Sequence, residues 1–255
     1  MTLEKILVLD CDVGFKGLDA EWIAGSLNND AVICKARENA FPENMNEYSG
    51  MIISGSSASA NDCDEWIKRL EKKTKETYES GLPILGVCFG HQMLAKALGG
   101  QISKMQDMEI GWHEVWHNQN PFFAGLKNPF YSFQIHNEHV AKYPAGAEII
   151  AFNREPQAFQ MQGKPVYGVQ FHPEIDKEIA YYVINARREK IEKARGRKGE
   201  SLNTVGKYDS KQAQGIFENF RRQAIFYQQK NAALERAASQ RAALEYGKNL
   251  VNKIW

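Results

Sequence analysis

Along the first hundred residues, continuous apolar runs alternate with stretches that are apolar every three or four positions. "KILVLDCD" (Lys5–Asp12) has no polar break in its centre, as expected of a strand covered on both faces. "LDAEWIAGSL" reads as helix, "AVICKAR" as strand, and "YSGMIISGS" as a strand ending in a Gly/Ser loop. In "DEWIKRLEKKTKETYESG", Trp66, Ile67, Leu70, Thr74 and Tyr78 share one helical face and Gly81 follows as a stop signal. "PILGVC" and "HQMLAKAL" repeat the strand–helix step. Alternating buried strands and helices predict an α/β fold with an open, mostly parallel central sheet flanked by helices.

From Gly100 to His172 the texture changes to short alternating segments: "GWHEVWH", "PFYSFQIH", "EIIAFN", "FQMQ" and "VYGVQFH". Turn signals at Asn120-Pro121, Pro144-Ala145-Gly146 and Gly163-Lys164-Pro165 separate them. This half is predicted to be β-rich. After Glu174 the pattern turns helical and polar. "EIAYYVINARREKIEKARGRK" reads as a helix running into a loop, "GESLNTVGKY" as a linker, and the rest as one or two long helices.

Composition narrows the class without naming it. The chain has 255 residues, 43% of them hydrophobic, which suffices for one sizeable core. Its 32 basic and 31 acidic residues leave a formal charge of +1, so nothing argues for nucleic acid or an anionic membrane as partner. No run approaches the roughly 18 apolar residues of a membrane span, and the N-terminus lacks the pattern of a signal peptide. Cys11, Cys34, Cys63 and Cys88 form no CxxC pair and read as free thiols in a reducing cytoplasm.

The chemistry concentrates at "GVCFGHQ" (Gly86–Gln92). Cys88 falls where a buried strand breaks into a helix. Unpaired N–H groups at a helix start favour a thiolate, which makes the cysteine a better nucleophile. Gly86 and Gly90 flank it at the G-x-C-x-G spacing of a nucleophile elbow. The Phe89 amide then points to where an oxyanion would form. His91 is too local to face the thiol well. His172 sits at the end of the apolar strand "VYGVQF", where active sites of parallel sheets collect. Glu174 follows across Pro173, at a spacing that suits a carboxylate fixing the imidazole tautomer.

"GVCFGHQ" paired with "GVQFHPE" resembles the class I glutamine amidotransferase family. "ISGSSASANDCDEWIKRL", "EIGWHEV", "FQIHNEHV" and "IFENF" resemble further segments of its stand-alone members, similar to the glutaminase domain of GMP synthase. The likeness spans roughly residues 5 to 222, which implies a catalytic domain over residues 1–222 and a helical C-terminal extension over 223–255. It implies a flavodoxin-like amidotransferase fold, no cofactor and no metal. It also implies that Cys88 attacks the side-chain amide of glutamine to give a thioester and ammonia, with His172 relaying protons and Glu174 holding it. The Phe89 amide and the Gly55-Ser56 loop would form the oxyanion hole. Gln92, His136, Asn137 and Glu138 would hold the amino-acid end of the substrate. Ser56 and Ser57 stand where many relatives carry a second glycine and a proline. Relatives that hydrolyse γ-glutamyl peptides share the elbow, so a γ-glutamyl compound is the alternative substrate. A partner-binding protein with a vestigial site is argued against by the intact Cys88, His172 and Glu174.

Two other features compete for attention. "HEVWH" (His113–His117) matches the zinc-protease pattern, which requires a helix; Trp112, Val115 and Trp116 favour strand here. "ARREKIEKARGRK" (Ala186–Lys198) holds seven basic and two acidic residues and no aromatic, and reads as a solvated helix face or a docking surface. Beyond Arg222, Phe226, Ala233, Ala237, Leu244, Val251 and Ile254 lie along a thin stripe, with Trp255 at the end. That segment is expected to serve self-association or docking of an ammonia-accepting partner protein.

Overall fold

The computed structural model describes residues 5–14, 18–27, 30–195 and 211–254. A nine-stranded sheet runs through it, in the order β2-β1-β3-β4-β9-β8-β7-β5-β6. Strands β1 (Ile6–Asp10), β2 (Ala31–Lys35), β3 (Gly50–Ile53), β4 (Ile84–Val87) and β9 (Val166–Val169) pair in parallel. β1, β3, β4 and β9 are buried along their whole length, as their unbroken apolar runs predict. The edge strand β2 is only partly covered. This half has the 2-1-3-4-5 order of flavodoxin-like sheets.

The second half adds antiparallel strands beyond β9. They are β8 (Pro156–Met161), β7 (Ala147–Phe152), β5 (Gln101–His117) and β6 (Phe130–Lys142). β5 and β6 form a long two-stranded arm whose register breaks between Lys104 and Glu109. "HEVWH" lies wholly in β5, so His113 and His117 do not share a helical face. Four residues of strand separate them by about 13 Å, too far for one metal ion.

Helices α1 (Leu18–Gly25), α2 (Glu65–Glu79) and α3 (Phe89–Ala97) are the expected ones. On α2 the fully buried positions are Ile67, Leu70, Thr74 and Thr77. The two threonines tolerate burial because their hydroxyls donate to the carbonyls of Leu70 (2.8 Å) and Lys73 (2.7 Å). After β9 the predicted single helix is two, α4 (Lys177–Ala186) and α5 (Arg188–Arg195), broken at Arg187. Asp176 caps α4 by accepting from the amides of Glu178 and Ile179. The expected linker Gly199–Tyr208 lies outside the described residues.

The C-terminal segment is one helix, α6 (Lys211–Ile254). Its first turns bury Ala213, Ile216, Phe217, Phe220 and Ala224 against the core that holds Ile6, Val8, Ile52 and Phe122. Each buried phenylalanine contributes about 1.5–3 kcal/mol. Asn219 secures the contact by donating to the carbonyls of Phe122 (3.1 Å) and Ala124 (2.9 Å). Packing ends there. Phe226 is 67% and Leu234 59% exposed, and the described side chains beyond Ala224, as far as Ala243, lie half-buried or exposed. The expected boundary at 222/223 thus falls inside α6. The side chains of Leu244, Val251 and Ile254, and all of Trp255, lie outside the described residues. Among the described residues no helix is long and apolar enough to cross a membrane.

Candidate active site

Cys88 stands between β4 and α3 with φ 51° and ψ −104°. A non-glycine residue at positive φ costs on the order of 1–3 kcal/mol and persists only where the surroundings enforce it. Here they do. The Cys88 amide donates to the Val169 carbonyl (2.8 Å), and its carbonyl accepts from the Gln92 amide (3.1 Å). The flanking glycines are steric requirements. A Cβ on Gly86 would lie 2.3 Å from the Gly90 carbonyl oxygen, and one on Gly90 would lie 2.1 Å from the Ile53 carbonyl oxygen. Sequence spacing and tertiary packing therefore specify the same elbow.

β4 and β9 are adjacent and parallel, so the residues just past their ends meet. This brings Cys88 and His172 into one site. The backbone of His172 is gripped from β6: its amide donates to the Phe133 carbonyl (2.9 Å), and the Ser132 hydroxyl donates to its carbonyl (3.2 Å). Its Nδ1 lies 2.6 Å from Glu174 Oε1. Its Nε2 is buried without a hydrogen-bond partner of normal geometry. Burial opposes protonation of the ring, but the charge and hydrogen bonding of Cys88 and Glu174 outweigh it and raise the imidazole well above its usual range. Cys88 is 5%, His172 4% and Glu174 1% exposed.

His91 is fully buried and packs edge-on against Phe159 and Tyr143. Burial lowers its ring to about 3, so it is a neutral core histidine. Phe89 opens α3, where its amide has no intrahelical acceptor. Gly55 sits behind the histidine: a Cβ there would fall 3.1 Å from His172 Cε1 and 2.9 Å from Asp19 Oδ2.

A cavity of about 110 Å³ opens over Cys88, lined by Phe89, Ser56, Gln92, His136, Asn137 and Glu138 among others. Every predicted substrate-end residue thus lines the cavity that also holds Cys88. Gln92 and His136 are already engaged with protein. The Gln92 amide nitrogen donates to the Glu138 carbonyl (2.9 Å) and to Gln170 Oε1 (3.2 Å). His136 uses Nδ1 on the Glu138 carbonyl (3.0 Å) and Nε2 on Glu109 Oε2 (2.9 Å). The Glu138 carboxylate accepts from the Ser59 hydroxyl at 2.8 and 3.0 Å. Burial opposes ionisation of Glu109, but His136, with help from Asn153, brings its carboxyl down to about 2.

Sequence reading missed Ser59, Glu109, Asp19 and Arg187. Ser59 and Glu109 lie in segments that carry the resemblance, "ISGSSASANDCDEWIKRL" and "EIGWHEV", but were not singled out within them. Arg187 belongs to the stretch read as a solvated face or a docking surface; the break between α4 and α5 turns it inward to line the cavity, while Arg188 stays exposed. Among the described residues no cluster of His, Cys, Asp or Glu has the geometry to hold a metal ion.

Comparison with known proteins agrees with the fold. Residues 8–181 match the family described as glutamine amidotransferase class-I. A stretch of 136 residues is 33% identical to a subunit of the glutamine-hydrolyzing GMP synthase of Methanococcus aeolicus, covering 52% of this chain and 68% of that protein. Another of 108 residues is 39% identical to the GMP synthase of Clostridium novyi, covering 41% of this chain but only 21% of that longer protein. A solved glutamine amidotransferase from Thermotoga maritima superposes with a TM-score of 0.73 at 24% identity, over 87% of this chain and 98% of that one.

Proposed function

Because this chain belongs to the class I glutamine amidotransferase family, we propose that Cys88, His172 and Glu174 act as a triad that hydrolyses the side-chain amide of glutamine. The observation that carries this reading is His172, held by Glu174 at 2.6 Å on one nitrogen, with Cys88 acting on the ring from a strained elbow.

His172 takes the proton of the Cys88 thiol, and the raised imidazole supports its holding that proton. The thiolate attacks the amide carbon, and the carbonyl oxygen becomes an oxyanion facing the Phe89 amide and a backbone amide of the Gly55–Ser56 loop. Collapse breaks the C–N bond. The nitrogen takes the proton of His172 and leaves as ammonia, with the γ-glutamyl group on sulfur as thioester. Neutral His172 then deprotonates a water, which attacks the thioester and releases glutamate. Gln92, His136, Asn137 and Glu138 form the wall for the amino-acid end, and Glu138 offers its carboxylate to the α-ammonium.

A relative named as one subunit of GMP synthase supports an ammonia-accepting partner chain, and the uncovered length of α6 is the segment we assign to docking or self-association. The test is release of ammonia and glutamate from glutamine by the purified chain and by Cys88→Ala, beside cleavage of γ-glutamyl dipeptides. Turnover by Cys88→Ala at the native rate would overturn the mechanism. Faster cleavage of the dipeptides would reassign the substrate to γ-glutamyl compounds.

A further inference from the structure

Arg187 is the one lysine or arginine that lines the cavity over Cys88, among the described residues. Arg188 and Lys193 of α5 are exposed and have no part in that lining. The C-terminus of α4 carries Arg187 inward, and its Nη2 lies 2.7 Å from where a Cβ on Gly14 would stand. Gly14 therefore leaves the space the guanidinium occupies.

Two acidic side chains back the guanidinium, Asp12 and Asp19, of which Asp19 is pushed up to about 7 by burial and by Glu174. Asp12 and Asp19 both act on it electrostatically, and Cys88 acts on it as well. Asp12 is set in its loop by donation from the Gly14 amide (2.6 Å). Asp19, at the start of α1, is 5% exposed. Arg187 also borders the small cleft that Asp19 and His172 line. It thus spans from the acids behind the histidine to the open cavity. A planar cation with five donors can serve the acids of the β1–α1 side and a ligand in the cavity at the same time.

We infer that Arg187 is a specificity-determining carboxylate receptor of this site, which binds a carboxylate carried by the γ-glutamyl substrate. This rests on the γ-glutamyl amide chemistry proposed above. The carboxylate has two sources: the α-carboxylate of the glutamyl half, or a carboxylate on the leaving amine. Arg187 is a fork suited to either.

The experiment uses two matched pairs on the full chain and on Arg187→Met. The first is L-glutamine against L-glutamine α-methylamide, read as ammonia release. The second is γ-glutamylglycine against γ-glutamylmethylamide, read as glutamate release. In the wild type, the carboxylate-bearing member of one pair is expected to be favoured about 10- to 100-fold in kcat/KM, the range of a hydrogen bond between charged groups. Arg187→Met is expected to abolish that preference, chiefly through KM. The pair that responds identifies the source. If Arg187→Met does not fold, Arg187→Lys carries the test, because it keeps the charge and loses the fork; the preference should still fall several-fold. Equal losses on both members of both pairs would overturn the inference while leaving the hydrolase reading intact. A wild type that turns over none of the four compounds would overturn both.

Discussion

His172 Nδ1 and Glu174 Oε1 lie 2.6 Å apart, with Pro173 between them in the chain. The pair is nearly solvent-free, so the carboxylate fixes which nitrogen is left for the thiol. Loss of His172 removes both proton transfers, whereas loss of Glu174 leaves a misoriented base. Steady-state ammonia release should therefore fall about two orders of magnitude further in His172→Ala than in Glu174→Ala. Equal rates for His172→Ala and wild type would rule the triad out.

A glutamine-analogue alkylator should modify Cys88 alone at neutral pH. Burial and the charge of Asp10 push the Cys11 thiol up, and burial raises Cys34. Cys63 is exposed and serves as the control for unselective reaction. Peptide mapping that finds Cys63 labelled as fast as Cys88 would show that the elbow does not activate its thiol.

Gly90→Ala should be among the most damaging single substitutions in the chain. Its Cβ would sit 2.1 Å from the Ile53 carbonyl oxygen, which is backbone and has nowhere to go. A cost of about 3 kcal/mol or more is expected. At Gly25, at the end of α1, a Cβ meets nothing within 4 Å, so Gly25→Ala should be neutral or slightly stabilising. Thermal unfolding of the two variants provides the comparison.

Glu109 and His136 make an acid-sensitive contribution to stability. The carboxyl is held at about 2, below its unfolded value near 4.5. A depressed carboxyl stabilises above its unfolded pKa, and that stability is lost as pH falls through the folded one. Glu109→Gln should therefore cost on the order of 3 kcal/mol at pH 7. The deficit should shrink between pH 4.5 and pH 2. Urea unfolding at neutral pH and near the middle of that acid window tests this; a constant deficit would assign the loss to packing instead.

Truncation after Lys230 should leave the catalytic unit standing. The buried face of α6 ends at Ala224, and Gln223, which accepts from the Tyr167 hydroxyl, stays in place. Its melting temperature should stay within about 2 °C of the full chain. Phe217→Ala, by contrast, should cost about 3–5 kcal/mol. Mass in solution before and after truncation shows whether the uncovered helix holds a second copy.

The strand and helix order, the elbow at Cys88 and the His-Pro-Glu turn were legible in the chain because each is a short-range matter. Apolar periodicity, the crowding that excludes a Cβ at Gly86, and the reach from His172 to Glu174 act within a few residues of sequence. What the chain could not reveal depends on which distant segments become neighbours. The pairing of Cys88 with His172 was expected from their motifs, but the contact itself rests on β4 lying beside β9. The inward turn of Arg187 depends on a helix break whose reward is a cavity built by other strands, so as sequence it looked like one more solvated cation. Glu109 and Ser59 sit in recognisable segments, but their roles were hidden because their partners His136 and Glu138 are set by β5–β6 register and by a loop from across the sheet. In α6 the helical pattern was plain, but where packing stops was not. An alanine-rich stripe reads the same whether or not a surface waits opposite it, and only the position of the core ends the contact at Ala224.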